Sequence, residues 1–125
     1  MNEFIENFKE VLTQRYATFT GRAGLKEYWY YFVVALCIGI FFVILTLTFM
    51  KSAVMLIVIH LVRGFVSLAL LIPGLALTVR RLHDTGKGGG WIFIALIPIL
   101  GALYLLYLMI IKGEPMANRF GEPVE

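Results

Sequence analysis

The sequence predicts an all-α membrane protein, a three-helix transmembrane bundle with an N-terminal amphipathic helix lying at the membrane interface. Three observations predict it. Sixty per cent of the 125 residues are hydrophobic, only 15% are charged, and mean hydropathy is +0.85, well above the apolar share of an average soluble domain. Two stretches carry no charge at all, Tyr28 to Met50 over 23 residues and Trp91 to Ile111 over 21. A helix rises about 1.5 Å per residue, so roughly 20 apolar residues cross the ~30 Å hydrocarbon core. Finally, residues 3–19 hold Phe4, Ile5, Phe8, Val11, Leu12, Tyr16 and Phe19 at helical spacing, with Glu3, Glu6, Asn7, Lys9, Glu10, Thr13 and Gln14 on the opposite face. The core helix of a soluble protein is the competing explanation for one apolar stretch. Two stretches of this length in 125 residues argue against it.

Residues 1–125 read as one membrane domain. Asn2 is placed to cap the first helix, with Glu3 at its positive end. Beside a span, such a helix lies along the bilayer surface or packs its apolar stripe on the protein itself, and the pattern leaves both open. Residues 1–27 mix four acidic with four basic side chains and show no secretory-leader pattern, so the first span is expected to remain as an anchor. Thr20-Gly21-Arg22-Ala23-Gly24 turns the chain. The run Tyr28-Trp29-Tyr30-Tyr31-Phe32 then marks one interface, where Tyr and Trp place an apolar ring and a polar handle. The first span covers 25–50, and Lys51-Ser52 marks the far side.

The second span, 53–82, has no Gly or Pro between Lys51 and Arg63. As a single helix it is about 45 Å long, with Arg63 roughly 15 Å from its start. At that depth an arginine must face protein or water. His60, Arg63, Gly64, Ser67, Leu71, Gly74 and Thr78 follow three- and four-residue steps, so this stripe is expected to be the packing face. In the alternative, residues 52–62 dip into the membrane and return. Pro73-Gly74 is expected to kink the second span, and Pro98 with Gly101 the third, 91–111. Residues 112–125 read as an irregular tail. Three spans put the N-terminal segment and the Arg80–Gly90 loop, with seven of the eleven Lys and Arg, on one side. Positive charge stays cytoplasmic, so the expectation is N-terminus in and C-terminus out.

The chemistry-bearing residues gather at that interface: Arg22, Lys26, Glu27, Arg80, Arg81, His83 and Asp84. Arg80 and Asp84 are four apart and share a helix face, and Glu27 can reach Arg80 or Arg81 across the bundle. An ion-pair network joining the first and second spans is the expectation. Arg80, Arg81 and Lys87 also suit an anionic lipid. No metal or cofactor is expected, because His83-Asp84 has only the distant His60 to complete a ligand set. Ser52, Ser67 and Cys37 lack an activating His–acid pair. Gly86-Lys87-Gly88-Gly89-Gly90 has glycine content but not phosphate-loop spacing. The lone Cys37 excludes an intramolecular disulfide, and a net charge of +3 is too small to argue for nucleic acid.

The combination Phe19-x-Gly21-Arg22-Ala23-x-x-Lys26-Glu27-Tyr28-Trp29, Arg80-Arg81-Leu82-His83-Asp84-x-Gly86, Trp91 with Ile97-Pro98 and Gly101, and Gly113 with Asn118-Arg119-Phe120-Gly121 resembles the family known as domain of unknown function 805. The resemblance runs along essentially the whole chain. It departs at Leu25, where a basic residue is common, and at Glu122, where Asp is usual; Arg63 lies outside the pattern. It implies a multi-pass protein of a bacterial inner membrane and supplies no activity. The leading expectation is therefore a non-enzymatic protein serving a lipid, a protein partner or a second copy of itself. A small oligomeric transporter or channel lined by His60, Arg63 and Ser67 is the rival, and an intramembrane enzyme using His83 and Asp84 is third.

Overall fold

The computed structural model describes residues 2–124. The side chain of Asn2, expected to cap the first helix, lies outside the described residues. Four α-helices follow in order: α1 Asn2–Thr13, α2 Leu25–Thr48, α3 Ala53–Asp84 and α4 Leu100–Ile110, with a 3₁₀ segment, Gly89–Leu96, before α4. No strand occurs among the described residues, which hold only an isolated bridge, Asn118 to Gly121.

α2 and α3 form an antiparallel hairpin, and each is long and apolar enough to cross a membrane. The turn between them ends at Ser52, whose Oγ accepts the Met55 N–H at 3.2 Å and caps α3. α3 is continuous from Ala53, so residues 53–62 belong to it, and it passes through Pro73 without a break. Proline has no N–H, which leaves the Ala69 carbonyl without its intrahelical donor. Tyr16 Oη fills that vacancy at 2.8 Å, and Tyr31 Oη donates to the next carbonyl, Leu70, at 2.8 Å. Two tyrosines from outside α3 thus satisfy the backbone around its proline.

α1 packs its apolar face on the protein. Phe4 meets the Tyr30 ring, Phe8 stacks on Tyr31, and Val11 is fully buried with Ala23, Tyr31 and Leu77. It ends at Thr13 rather than running to residue 19 as expected. Residues beyond it cross to α3 instead, where the Thr18 carbonyl accepts Arg80 Nε at 3.0 Å.

The stretch from Trp91 to Ile111 differs most from expectation. It is not one helix but a hairpin: the 3₁₀ segment, a break, and α4. Pro98, Ile99 and Leu100 make a three-residue turn, with the Leu100 N–H on the Pro98 carbonyl at 2.6 Å and Ile99 at φ 62°, ψ −66°. This γ-turn is of the rarer, strained hand. The two arms touch through Trp91 and Tyr104, whose rings lie 6.1 Å apart, and through Gly101, where any Cβ would overlap the Ile94 carbonyl. At about 2.0 Å per residue for the 3₁₀ arm and 1.5 Å for α4, each arm is roughly 16 Å long, half of the hydrocarbon thickness.

Both arms start and end beside the N-terminus of α2 and the C-terminus of α3. Gly89 sits against Val79, and the Met109 carbonyl accepts Trp29 Nε1 at 3.0 Å. Leu82, Leu108 and Met109 form the core there, with Tyr28, Trp29, Ile92 and Leu105 around them. The tail therefore emerges at the end where α2 begins and α3 finishes, which corrects the expectation of N- and C-terminal segments on opposite sides.

In a variant lacking Cys37, single cysteines placed at Lys9 and at Val124 should both be labelled by an impermeant maleimide from one side of the membrane, and one at Lys51 from the other. Labelling of the Lys9 and Val124 positions from opposite faces would contradict the returning hairpin. Tyr31→Phe should lower stability in detergent by about 0.5–1.5 kcal/mol, since it removes the hydroxyl that donates to the Leu70 carbonyl.

Candidate functional site: a buried charged collar

At the open end of the α2–α3 hairpin, where α2 begins and α3 finishes, the charged residues turn inward. Gly21 adopts φ 89°, a conformation that favours glycine, and the turn it makes sends Arg22 beneath the end of α3. The Ala23 N–H then donates to the Arg80 carbonyl at 2.9 Å, joining the turn to α3.

Asp84 is the hub. Its Oδ1 accepts Arg22 Nε at 2.9 Å and its Oδ2 accepts Arg81 Nη1 at 2.7 Å. The side chains of Arg22 and Arg81 are 1% and 0% exposed. Two buried cations share one carboxylate, so the remaining donors need other partners. They find backbone carbonyls. Arg22 reaches Glu114 at 2.6 Å, Met116 at 3.0 Å, Gly121 at 3.2 Å and Asp84 itself at 3.2 Å. Arg81 reaches Met109 at 3.3 Å and also Ile111. The last two belong to the C-terminal end of α4, whose unpaired carbonyls form the negative pole of the helix. One carboxylate plus these dipoles offsets two guanidinium charges.

A second cluster lies on the α1 side. Glu27 Oε2 takes Arg80 Nη1 at 2.6 Å and Arg15 Nη1 at 3.2 Å. Arg15 also pairs with Glu10 at 2.6 Å, and Asn7 Nδ2 donates to the Glu27 carbonyl at 3.0 Å. Arg80 Nη2 is buried with no hydrogen-bond partner among the described residues. Lys26 is exposed and lines a crevice with Asn7, Arg15 and Glu27.

The tail residues of the sequence pattern belong to this site. The Phe120 ring stacks on His83 at 3.9 Å and 1°, and the Arg119 guanidinium lies 4.7 Å from the Phe120 centroid. Asn118 Nδ2 donates to the His83 carbonyl at 3.0 Å, while its Oδ1 accepts the Phe120 N–H at 2.8 Å. Gly121 supplies one of the carbonyls that accept from Arg22. His83 itself holds the Gly21 carbonyl through Nδ1 at 2.8 Å. Among the described residues no three His, Cys, Asp or Glu side chains gather as a metal would require.

The structure does not bring His60, Arg63 and Ser67 to this site, nor turn them to α2. All three are exposed in the far half of α3, beyond Pro73. Of the expected packing stripe, Gly74 and Thr78 face Tyr31 and Tyr28 along the α2–α3 groove. Sequence reasoning missed the tyrosine donors Tyr16 and Tyr31 and every backbone carbonyl that the arginines use. Pro73 was the available signal for the first. Nothing local in the sequence signals the second.

On the outer edge of the collar a cavity of about 490 Å³ opens between the 3₁₀ segment and the tail, lined by Gly88, Gly90, Trp91, Ile94 and Arg119. Lys87 Nζ lies 5.3 Å from the Trp91 ring centroid. Unlike Arg22, Arg80 and Arg81, Arg119 is an exposed cation.

Replacing Asp84 by Ala leaves two buried guanidinium groups without their anion. The loss in thermal-unfolding free energy in mild detergent should be about 3–5 kcal/mol, as for other broken buried pairs. A cost in the range of an exposed pair, below about 1 kcal/mol, would remove Asp84 from its central position.

Comparison with known proteins places this arrangement. Over 108 residues the chain is 33% identical to inner membrane protein YhaI of Escherichia coli K12, covering 86% of each. It is 32% identical over 108 residues to inner membrane protein YhaH of the same strain, covering 86% of this chain and 88% of the relative. The uncharacterized protein YiiR of that strain is 32% identical over 80 residues, 64% of this chain and 50% of the relative. No solved structure matches. The profile of the protein family of unknown function DUF805 matches residues 16–122, which takes in the collar, the hairpin and the Asn118–Gly121 turn. The chain belongs to the DUF805 family.

Proposed function

We propose that this chain is a non-enzymatic, multi-pass inner-membrane protein that binds an anionic phospholipid headgroup at its cytoplasmic edge. In this reading α2 and α3 cross the bilayer, the 91–111 hairpin enters one leaflet, and α1 lies on the protein at the interface. The inner membrane is supported by the names of the relatives. The cytoplasmic side is supported by charge. With the tail at the collar end, Lys112 and Arg119 join the seven basic residues already there, so nine of eleven Lys and Arg lie on one side.

The buried collar acts as a clasp in this proposal, not as a reaction centre. Both Asp84 oxygens are held by guanidinium groups, and His83 is held by Gly21 and stacked on Phe120. That engagement argues against general acid–base work by the pair. It also withdraws Arg80 and Arg81 from any lipid and moves that role outward.

The observation that carries the proposal is the cavity of Gly88, Gly90, Trp91, Ile94 and Arg119 with Lys87 at its rim. It offers two cations and an interfacial indole at headgroup level, with the apolar Ile94 beneath. Each basic group near an anionic membrane surface contributes about 1 kcal/mol, so Lys87→Gln with Arg119→Gln should weaken phosphatidylglycerol binding roughly 30-fold. Titration of the purified protein with short-chain phosphatidylglycerol and phosphatidylcholine, read by native mass spectrometry, tests this. Equal binding of the two lipids, or an unaffected double variant, would reject the site.

A further inference from the structure

One charge stands inside a helix far from the collar. Arg63 lies exposed in the far half of α3 and makes no hydrogen bond or ion pair among the described residues. From Tyr28 to Val79 the chain contains no Asp or Glu. Neither this chain nor a second copy packed span against span can supply a carboxylate at that depth. Hydrocarbon cannot solvate a guanidinium, so the charge needs an anion from elsewhere.

Helix geometry indicates where that anion sits. From Ala53 to Thr78, which shares the α2–α3 groove with Tyr28, α3 rises about 37 Å. With the Tyr28-Trp29 belt at one boundary of a ~30 Å hydrocarbon layer, the other boundary falls about 7 Å from the start of α3, near Ile57-Val58. The Cα of Arg63 is about 15 Å from that start, hence roughly 8 Å inside the boundary. Helical side chains lean toward the N-terminus, which for α3 is the far end. An extended arginine reaches roughly 6–7 Å, which brings its head to within about 1–2 Å of the far boundary, and local thinning of the bilayer brings a phosphate down to meet it. His60 lies three residues earlier on the same side of the helix and is also exposed. Beside Arg63, Gly64 leaves open space, with nothing within 4 Å of where a Cβ would lie.

We propose that Arg63 and His60 form a phosphate site for a phospholipid of the leaflet opposite the collar. The guanidinium fork takes the two non-bridging phosphate oxygens, the His60 ring donates to one of the same two, and an acyl chain lies along the space at Gly64. This site uses different residues and the other leaflet from the collar cavity. It rests on the proposed crossing of the bilayer by α2 and α3, and labelling of a cysteine at Lys51 separates failure of that crossing from failure of the site.

The test is native mass spectrometry of the full chain released from nanodiscs, counting retained phospholipids. Besides any lipid at the collar cavity, wild type should hold one whose occupancy falls roughly tenfold in Arg63→Gln and in Arg63→Leu, and less in Arg63→Lys, which keeps the charge but loses the fork. Arg63→Leu removes a charge from an apolar span and should fold at least as stably as wild type, so loss of lipid there cannot be laid to misfolding. The Lys87→Gln, Arg119→Gln protein should keep this lipid. Unchanged retention in Arg63→Leu overturns the proposal. So does stabilisation of the delipidated protein by inorganic phosphate as strong as by phospholipid, which would make the ligand a free anion. A membrane protein that copurifies with wild type and is lost in Arg63→Leu, with the lipid count unchanged, would assign the charge to a partner's carboxylate and equally overturn it.

Discussion

The sharing of one buried carboxylate by two arginines governs this structure. Asp84 alone cannot satisfy the donors that Arg22 and Arg81 bring into the interior, and the surplus is met by carbonyls from the end of α4 and from the tail. Desolvated charge is costly unless every donor is placed. The placement of Arg22 and Arg81 therefore dictates where the chain after residue 108 must lie. Helix α4 ends where its exposed carbonyls meet Arg81 and Trp29, and the tail wraps where Arg22 needs acceptors. Gly113 and Gly86 lie so close to the carboxylates of Asp84 and Glu114 that a side chain at either would displace them.

How much of this was legible in the sequence varies by element. Helix α2 follows from an uncharged run bounded by Lys residues and aromatic side chains, and α3 from an apolar stretch that Arg63 alone interrupts, because a membrane span has a set length and polarity. Glu27 and Arg80 were recognisable as neighbours because both sit one turn inside facing helix ends, and the structure sets them 2.6 Å apart. The hairpin was not legible as such. Twenty-one uncharged residues meet the length test whether they cross once or enter and return, and only Pro98 and Gly101 hint at the return. The tail was read as irregular since Pro and Gly punctuate it, but its order comes from arginines 30 to 100 positions away. The small and polar stripe on α3 misled for another reason. Small residues mark close helix approach, yet beyond Pro73 the stripe turns away from α2 and leaves His60, Arg63 and Ser67 outside.

Pro73 shows how the two halves of α3 differ in kind. On the collar side the helix is buried between α1 and the hairpin, with Ala76, Leu77, Arg80, Arg81 and Leu82 at or near zero exposure. On the far side Leu61, Phe65 and Leu68 are each at least 60% exposed. The proline falls at the border, and Tyr16 and Tyr31 supply the hydroxyls that keep the backbone satisfied there. The protein is thus a packed head with two bare helices extending from it.

That half-depth hairpin has a geometric consequence for the bilayer around it. With α2 and α3 crossing the bilayer as proposed, the chain would place α2, α3, the 3₁₀ arm and α4 in one leaflet but only α2 and α3 in the other. With each helical segment about 10 Å across, it would then displace roughly twice as much lipid area on the collar side and act as a wedge. A flat bilayer would have to accommodate it by thinning or splaying the lipids of the emptier leaflet, whereas a membrane curved to expand the collar leaflet would accommodate it without strain.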